Sequence, residues 1–474
     1  MDYLLINSNY LDNNIKLSYI HLMNEKQLQA VKSLKNTLLI AGAGSGKTFT
    51  IINKINYLIE NNYYKEDEIL VISFTNESVN DIKKKINYQN VSVKTFHKLG
   101  LDLLKDENTK IVPKNYLEYI INEYLNSYGK YHHLTSKKIK RILKEIDILN
   151  LQKLITTFIN LYKSNYNNPY YLFDLYQKSH FITKDYLKII LDIYTIYQNE
   201  LLSAGYLDFN DMISLATKSI KEGLIKTKYK YIIIDEFQDT SLIRFNLIYE
   251  IMKKNEAKLF AVGDDYQSIY RFNGCNLDVF LNLKKYLPDL TIITLDYNYR
   301  NNQTLINIAN KFIMKNKKQI KKNTICLKDA FNPIKIVFYK NPKNIINQII
   351  SKIEGNITIL GRNNKDKENF NIYETDTLKF LTIHSSKGLE DDNIIIVNLE
   401  NKTNSLPTKI KNHYLLDLII TKDEYPYEEE RRLFYVALTR SRNNVYLLVP
   451  YYNYSPFVKE LIKNNKKDIE FLKY

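Results

Sequence analysis

The sequence has no tryptophan, only two cysteines, few prolines and glycines, and no long apolar run. Cys275 and Cys326 are too few for a disulfide scaffold or a cysteine-based zinc cluster. The 9 prolines and 12 glycines form no linker-like stretch. No apolar run approaches the roughly 18 residues of a membrane span. The N-terminal MDYLLINSNYLDNNIK lacks the basic and then apolar order of a signal peptide. These absences predict a soluble, intracellular protein.

The charge balance is strongly positive. The chain carries 68 Lys+Arg against 52 Asp+Glu, a formal net charge of +16. Cationic side chains neutralise phosphates and release counterions, so the excess favours a nucleic-acid partner. Lysine is plentiful along the whole chain, however, and the same excess spread over a solvated surface indicates no partner. A hydrophobic fraction of 45% is ordinary for a globular protein and argues against global disorder.

Two stretches with alternating strand and helix signals flank a helical one. From residue 36 to about 110, β-rich runs such as TLLIAG and ILVISF alternate with helical runs such as ESVNDIKKKI. From about 102 to 205, Leu, Ile, Tyr and Lys recur at helical intervals; the alternation resumes with YKYIIIDEF and again from residue 334. Strands that alternate with helices form parallel sheets covered on both faces. The sequence therefore predicts an α/β fold with two such sheets and a helical insertion in the first.

A glycine-rich segment between a predicted strand and a predicted helix suits a phosphate ligand. It comprises Ala41, Gly42, Ala43, Gly44, Ser45, Gly46, Lys47 and Thr48. Glycines let backbone N–H groups turn inward around phosphate oxygens, at the positive end of the helix dipole. We expect Lys47 to reach the β- and γ-phosphates and Thr48 to place its hydroxyl on Mg²⁺. Ala41 stands where the common pattern has glycine, and the alternative is a strand–helix turn that binds nothing.

Nucleotide hydrolysis also needs carboxylates, and the run YIIIDEFQD supplies two. Its apolar residues predict a buried strand from which Asp235 emerges at the carboxyl end, where ligands of α/β sheets bind. Asp235 suits a magnesium ion, and Glu236 suits orienting and deprotonating water. The plainer interpretation is an acidic strand end that only caps the next helix.

These segments, together with others in the same order, resemble superfamily 1A helicases of the UvrD/Rep/PcrA type. The matching segments are LMNEKQLQAV, AGAGSGKT, ILVISFTNESVNDI, VSVKTFHKLG, YLDFNDMI, DEFQDT, GDDYQSIYRFNG, LDYNYRNN, FLTIHSSKGLE, EERRLFYVALTRSR and SPFVKEL. They cover nearly the whole chain. The resemblance implies two RecA-like P-loop NTPase domains with a helical insertion in the first. It also implies an ATP-hydrolysing DNA helicase with ATP and Mg²⁺ as cofactors.

The resemblance assigns roles around the nucleotide. It implies that Gln27 contacts adenine, that Tyr299 stacks on this base, and that Glu390 contacts the ribose. Gln267 is expected to sense the γ-phosphate.

Two arginines are expected to act on the reacting phosphate. The resemblance implies that Arg300 and Arg440 bring positive charge to the transition state, and a planar, permanently charged guanidinium suits that role. A structural ion pair is the alternative for any such arginine. The acidic surroundings in EEERR favour that alternative for Arg431 and Arg432.

Further matching segments imply a track for single-stranded DNA. Such strands are held by polar groups on phosphates and by rings that stack on bases. The implied contacts are the rings of Phe74, His97, Phe209, Tyr270, Phe272, His384 and Phe457, the hydroxyls of Thr75, Thr95 and Thr382, and the neighbouring Asn273. Taken singly, each ring is better explained as part of the core; the set is favoured because each member follows a strand or lies in a loop beside the ATP motifs.

The chain departs from the family at two positions of the track. Asn273 stands where the family usually has arginine, so a cationic DNA contact is missing. Cys275 replaces a small alanine and implies no redox role. The basic run at residues 311–322 has two open interpretations, additional phosphate contacts or a solvated helix face.

Relatives carry a large helical 2B subdomain between the motifs that here hold Arg300 and His384. This interval already contains IKIVFY and ITILGRNN, which belong to the second sheet, so we expect no 2B subdomain of usual size. The short stretch after Arg440 is also expected to leave no space for a nuclease domain. The predicted division is domain 1A at 1–101 and 206–300, insertion 1B at 102–205, and domain 2A at 301–474.

The preferred hypothesis is an ATP-dependent helicase and translocase that moves 3′→5′ on single-stranded DNA. Its expected partners are single-stranded DNA and DNA with single-stranded tails, in repair, replication or recombination. Because the 2B subdomain regulates unwinding in relatives, the alternative is an ATP-gated remodeller that strips proteins from DNA without unwinding. An inactivated homologue and an RNA substrate also remain open.

Overall fold

The computed structural model describes residues 23–105, 110–128, 133–166 and 168–472 of the chain. The N-terminal segment that lacks signal-peptide features therefore lies outside the described residues. The described strands are β1 (Thr37–Ala41), β2 (Ile69–Ile72), β3 (Ser92–Lys94), β4 (Lys110–Ile111), β5 (Tyr206–Leu207), β6 (Tyr231–Ile234), β7 (Lys258–Gly263), β8 (Thr291–Leu295), β9 (Tyr297–Asn302), β10 (Ile325–Lys328), β11 (Ile334–Tyr339), β12 (Ile357–Gly361), β13 (Leu378–Thr382), β14 (Asp391–Ile396), β15 (Ser441–Pro450) and β16 (Ile469–Leu472).

The first large sheet has six strands, all parallel, in the order β3-β2-β6-β7-β1-β8. Strands β1, β2 and β6 are buried along their whole length, because helices cover both faces of the sheet. This burial explains why each of them is a continuous apolar run. Since β6, β7 and β1 are neighbours, the residues that follow their carboxyl ends meet at one edge of the sheet.

The second large sheet is also six-stranded and parallel, in the order β13-β12-β14-β15-β11-β16. When its strands are counted from its own first strand, this order repeats that of the first sheet. A short ribbon of β9 and β10 lies between the two sheets in the chain. The α/β class and the two parallel sheets predicted from the alternating pattern are confirmed.

Helices connect the strands of both sheets. Those of the first sheet are Glu25–Lys32, Lys47–Glu60, Asn76–Lys85, Phe96–Leu103, Phe209–Glu222, Leu242–Asn255, Leu277–Leu281 and Leu283–Tyr286, and those of the second are Gln303–Ile313, Pro342–Ile350, Asp366–Asn369, Glu428–Leu438 and Pro456–Asn465. Short 3₁₀ turns are Glu66–Glu68, Phe237–Asp239, Asp265–Gln267, Arg271–Asn273, Leu416–Leu418 and Lys466–Asp468. Within the described ranges, no helix is both long and apolar enough to cross a membrane.

The stretch between β4 and β5 is helical, as its periodicity predicts. Its helices are Tyr116–Glu123, His133–Ile142, Ile148–Asn165, Pro169–Lys178 and Phe181–Ala204, with one π-helical turn at Tyr124–Tyr128. Strands β4 and β5 pair with each other and so join the start of this insertion to its end. The longest helix ends at Gly205, whose positive φ of 67° forms a left-handed C-cap.

A loop of the second sheet enters the core of the helical insertion. Leu415, Leu416 and Ile419, which lie between β14 and the helix Glu428–Leu438, pack into the insertion's apolar cluster. The ring of Tyr186 from the insertion lies 5.2 Å from that of His413. We call residues 413–419 the clasp segment, because it fixes the insertion to the second sheet as well as to the first.

Candidate functional site

A cleft of about 830 Å³ lies between the two large sheets, at the carboxyl ends of β1 and β6. It is lined by Gly42, Ala43, Gly44, Ser45, Gly46, Lys47, Thr48, Asp235, Glu236, Gln267, Tyr299, Arg300, Glu390 and Arg440, with Thr75, Tyr270 and Lys387. Apart from Gln27 and Ala41, every residue predicted for nucleotide binding or catalysis lines this one cleft. Residues far apart in the sequence are therefore brought together by the two sheets.

The glycine-rich loop depends on glycine at two positions. Gly44 and Gly46 have φ values of 67° and 81°, in the left-handed region that glycine favours. A Cβ at Gly44 would lie 2.6 Å from the Cβ of Arg300, and one at Gly46 would lie 2.8 Å from Nε2 of Gln27. The hydroxyl of Ser45 donates to the carbonyl of Gly42 at 2.9 Å and closes the turn. This backbone is narrow, turned inward and continuous with a helix N-terminus, which suits a phosphate.

Two of the predicted nucleotide residues lie behind this loop and not in the cleft. Ala41 is the last residue of β1 and is fully buried. Gln27 is 1% exposed, and its Nε2 donates to the carbonyl of Ser45 at 3.2 Å. Its Oε1 accepts the backbone N–H of Asn24 at 3.1 Å as part of a capping box. The amide of Gln27 thereby supports the loop, and its second N–H and second lone pair remain for the expected adenine contact, which stays a prediction.

A cation and two carboxylates form the centre of the cleft. Nζ of Lys47 lies 2.8 Å from Oε1 of Glu236. Burial alone would raise the pKa of Glu236, but Lys47 and Lys387 outweigh it and hold this pKa below its ordinary value. Burial, followed by the neighbouring Glu236, raises the pKa of Asp235 instead. Adjacent carboxylates with opposite shifts are typical of sites that separate a metal-binding role from an acid–base role.

Arg440 reaches from the second sheet to the first. Its Nη2 donates to Oε1 of Gln267 at 2.9 Å, and its other bonds go to the carbonyls of Val436 and Leu389. No carboxylate of the described residues forms an ion pair with it. Burial, followed by the nearby Arg300, lowers the pKa of Arg440. A buried guanidinium held only by neutral acceptors is prepared for an anion.

The ion-pair alternative applies to the neighbouring arginines. Arg431 pairs with Glu460 at 2.7 Å, and Arg432 pairs with Glu428 at 2.8 Å. The prediction that these two arginines are structural is confirmed. A third arginine of a different kind, Arg440, follows two residues after the end of the same helix at Leu438.

The remaining nucleotide candidates form the rim of the cleft. Arg300 pairs with Glu390 at 2.5 Å, and Arg442 binds the same carboxylate at 2.9 Å. Nη1 of Arg300 also donates to the carbonyl of Thr439 at 3.2 Å. The ring of Tyr299 is partly exposed beside the loop. Arg300 therefore has the ion pair that Arg440 lacks, and Glu390 is held by two cations.

The first group of predicted DNA contacts lies on the first sheet. The rings of His97 and Phe209 are 4.5 Å apart, and Phe74 packs edge-on against Phe96 at 5.6 Å. Burial, followed by Arg244, lowers the pKa of His97 to about 4, so this ring is neutral near pH 7. Such rings offer stacking surfaces without adding charge.

The two threonines of this group begin helices. The hydroxyls of Thr75 and Thr95 accept the backbone N–H groups of Ser78 and Lys98. The hydroxyl of Thr75 donates its own proton to Oγ of Ser78.

The second group bridges the two sheets. The ring of Phe272, which is 52% exposed, meets that of His384 edge-on at 5.3 Å. The hydroxyl of Tyr270 donates to the carbonyl of His384 at 2.9 Å. Asn273 is exposed beside them, and the hydroxyl of Thr382 bonds to that of Ser385 at 2.8 Å. Phe272 and His384 also line a second cavity of about 1050 Å³.

Comparisons with known proteins agree with this geometry. A model of the UvrD/REP helicase N-terminal domain matches residues 23–288, and one of the UvrD-like helicase C-terminal domain matches residues 356–450. The chain belongs to the UvrD/Rep helicase family. Five of the six strands of the first sheet and four of the six of the second fall in these matches, which identifies the sheets as the two RecA-like domains of a UvrD-type helicase.

This UvrD/Rep-type chain is similar in sequence to several DNA helicases, over different shares of its length. It is 27% identical to DNA helicase IV of Escherichia coli over 93% of its length, which is 70% of that protein. It is 33% identical to the ATP-dependent DNA helicase Rep of Buchnera aphidicola subsp. Schizaphis graminum over 70% of its length. It is 28% identical to the ATP-dependent DNA helicase PcrA of Bacillus subtilis, also over 70%. The chain matches about half the length of the Rep relative and 44% of PcrA.

One prediction within the UvrD/Rep segments is wrong. Phe457 is 1% exposed and packs against Phe312 and Phe434, at 5.1 and 5.6 Å between ring centroids. Arg431 covers its ring from the other side. The side chain belongs to the core of the second domain and is closed off from any nucleic acid. The segment SPFVKEL places it there because the helix Pro456–Asn465 turns its apolar face inward.

Lys387, a cation that joins the two UvrD/Rep domains, was not predicted from the sequence. It follows β13, and its Nζ donates to Oδ2 of Asp239 at 2.5 Å and to the carbonyl of Gln267 at 2.7 Å. It also lies 3.7 Å from Glu236. Burial raises the pKa of Asp239 to about 6, against the attraction of Lys387. The position of this lysine inside the matching segment FLTIHSSKGLE was the available signal.

Neither interpretation of the basic run 311–322, phosphate contacts or a solvated helix face, applies to its last residue, Lys322. The helix ends at Ile313, and Lys322 is buried in ion pairs with Asp264 and Asp265. Oδ2 of Asp264 then accepts Nε2 of Gln267 at 2.6 Å. This bond leaves the amide oxygen of Gln267 facing Arg440.

Proposed function

We propose that this chain is an ATP-dependent helicase and translocase that moves 3′→5′ on single-stranded DNA. The observation that carries the proposal is the single cleft in which Lys47 and Glu236 of the first domain face Arg440 of the second. Named relatives are ATP-dependent DNA helicases, and DNA is accordingly the proposed partner.

We also propose the division into 1A, 1B and 2A, with one adjustment. The predicted boundary at residue 300 falls inside β9 (Tyr297–Asn302). The turn between β8 and β9 is a better limit, because β8 is the last strand of the first sheet and β9 pairs with β10 instead.

The cleft fits ATP and Mg²⁺. The inward-turned backbone around Gly44 and Gly46 has no room for a Cβ, as a loop wrapped around phosphate oxygens requires. Asp235 and Thr48 offer the oxygen ligands that Mg²⁺ prefers, and both line the cleft. When bound there, the ion would neutralise charge on the phosphates. Tyr299, partly exposed at the rim, is the proposed stacking surface for adenine.

Lys47 and Glu236 are proposed to exchange partners during the cycle. Lys47 is the first cation acting on the carboxylate of Glu236. When Lys47 turns to phosphate oxygens, Glu236 loses this stabilisation, and its pKa rises toward the ordinary value. The carboxylate then becomes a better acceptor for the proton of the attacking water, at the moment when the phosphate is in place.

Arg440 and Arg300 are proposed to stabilise the transition state. The guanidinium of Arg440 is held by Gln267, a residue of the other domain, so a γ-phosphate can replace the amide oxygen without further desolvation of the arginine. To reach the phosphate, Arg300 has to weaken or break its ion pair with Glu390, which Arg442 also binds. Closure and opening of the cleft between the domains thereby follow the nucleotide state.

The two ring groups are the proposed single-strand contacts. The rings of Phe209 and Phe272 are about half exposed, and each packs against a histidine ring. The first group belongs to the first domain, whereas Phe272 and His384 come from different domains. Movement between the domains therefore changes the distance between stacking surfaces, which is the requirement for stepping along a strand.

Activity assays test the proposal. We expect ATPase activity that rises severalfold or more with single-stranded DNA. We also expect unwinding of 3′-tailed duplexes and none of 5′-tailed ones. Efficient unwinding only from 5′ tails would contradict the polarity, and equal stimulation by RNA would widen the substrate class.

One observation favours a second candidate, the ATP-gated remodeller. The interval between Arg300 and His384 holds β10 to β13 and the helices between them, with no additional subdomain. Release of streptavidin from a 5′-biotinylated strand, the end toward which a 3′→5′ translocase moves, without duplex separation would support this candidate. Release together with separation of 3′-tailed duplexes would support the helicase.

A further inference from the structure

Arg244 lies under the first ring group and was not among the predicted DNA contacts. It belongs to the helix Leu242–Asn255, which begins just after the catalytic carboxylates. Its guanidinium carbon is 5.7 Å from the ring centroid of Phe74 and 5.9 Å from that of Phe96. It also lowers the pKa of His97, which shows that its charge is felt at that ring.

This guanidinium has no polar partner. Among the described residues, none forms a salt bridge or a hydrogen bond with it, and it lies against the rings of Phe74 and Phe96. Burial lowers the pKa of Arg244, and the carboxylate of Asp239 acts on it only at longer range. Asp239 is itself paired with Lys387.

Two other buried cations, one in the first domain and one in the helical insertion, are satisfied. Nζ of Lys54 donates to the carbonyls of Val31 and Ser33. Lys163 pairs with Asp208 and Asp211. Removing a charge from water is costly unless a partner compensates. The exception at Arg244 lies where an anionic strand is expected, and its side chain keeps partial exposure.

We propose that Arg244 binds a backbone phosphate of the single strand while its planar group supports the ring of Phe74. The inference rests on the proposed function and adds a cationic contact to a track that otherwise consists of rings and hydroxyls. A guanidinium suits both tasks, because its face stacks on an aromatic ring while its edge donates hydrogen bonds. The lost cationic contact at Asn273 is thereby offset at a different place.

The salt dependence of binding separates a phosphate contact from a supporting role. Each neutralised phosphate of a single strand contributes about 0.7 to the slope of log K against log salt concentration. Anisotropy of a fluorescein-labelled oligo(dT) should be titrated at four or more KCl concentrations. The proteins are the wild type, Arg244→Gln, Arg244→Lys and Lys254→Gln, a matched control that removes an exposed charge from the same helix.

We expect Arg244→Gln to bind about tenfold more weakly, with a slope shallower by about 0.7. Arg244→Lys should keep the wild-type slope because it keeps the charge, and Lys254→Gln should match the wild type. Wild-type affinity for Arg244→Gln, or weaker binding with an unchanged slope, would overturn the proposal; the latter result means that the guanidinium only supports the ring. If the wild type fails to bind the oligonucleotide, the proposed function fails, and this inference fails with it.

Discussion

The guanidinium of Arg440 and the amide of Gln267 meet across the cleft at 2.9 Å, and each belongs to a different sheet. The amide is oriented by Asp264, which is itself held by the buried Lys322. A chain of polar contacts therefore fixes which end of Gln267 faces the arginine. A small change at Arg440 or at Gln267 is therefore expected to disturb this contact between the two sheets.

Replacement of Arg440 by lysine should remove most of the hydrolytic rate. Lysine keeps the charge but lacks the planar fork that reaches Gln267 and a phosphate together. We expect kcat of the DNA-stimulated ATPase to fall on the order of 10³-fold. The matched control is Arg442→Lys, on the strand β15 that begins directly after Arg440, for which we expect a change of only a few-fold. Similar losses in both variants would contradict the special role of Arg440.

Gly44→Ala should destabilise the protein more than Gly205→Ala. Both glycines have a φ of 67°, so the backbone cost is shared and amounts to about 1 kcal/mol. A Cβ at Gly205 meets open space, whereas one at Gly44 overlaps Arg300. We therefore expect an additional loss of about 1–3 kcal/mol for Gly44→Ala in urea unfolding. Equal losses would show that the loop does not approach Arg300 this closely.

The clasp segment should contribute to the stability of the helical insertion. Leu415→Ala removes a fully buried side chain from a core shared by the insertion and the second domain, at a cost of about 2–4 kcal/mol. Hydrogen exchange should then quicken in the insertion helices. Leu202→Ala, on the same insertion but 82% exposed, is the control and should change little. If exchange in the insertion is unchanged in Leu415→Ala, the clasp does not hold it.

Neutral histidines should make the fold sensitive to acid. Burial, aided by Arg362 and Lys387, lowers the pKa of His384 to about 4, below its value in the unfolded chain. The unfolded state therefore binds the proton more tightly, and the associated stability is present above about pH 6.5 and is lost as the pH falls toward 4. When the pH falls from 7.5 to 5, we expect the free energy of unfolding of His384→Gln to decrease by about 1 kcal/mol less than that of the wild type. The exposed His180→Gln should follow the wild type; identical pH slopes for all three proteins would contradict the depressed pKa.

The strands and the phosphate loop were predictable because their signals are local. Strands buried on both faces are continuous apolar runs, and the loop needs glycine at fixed positions between a strand and a helix. The correction at Phe457 has a different origin. Phe457 lies in a segment that matches a family motif, but its burial is decided by neighbours that are distant in the sequence.

Contacts between distant segments were the part that the sequence could not predict. Lys322 ends a basic run that has the composition of a solvated surface, yet its partners Asp264 and Asp265 are more than fifty residues away. The apolar residues of the clasp segment follow no periodic pattern, so the sequence did not predict that they pack into the insertion. Arg244 has no local pattern either, and its significance depends on the absence of a polar neighbour among the described residues.

The central claim is that Glu236, held by Lys47, performs ATP hydrolysis that single-stranded DNA stimulates. The most direct test is the ATPase rate of the wild type and of Glu236→Gln, each with and without oligo(dT), together with a check that both bind ATP. We predict a DNA-stimulated rate for the wild type and a loss of about 10²–10⁴-fold for the variant with ATP binding retained. A Glu236→Gln protein that hydrolyses ATP at the wild-type rate in the presence of single-stranded DNA would contradict the account.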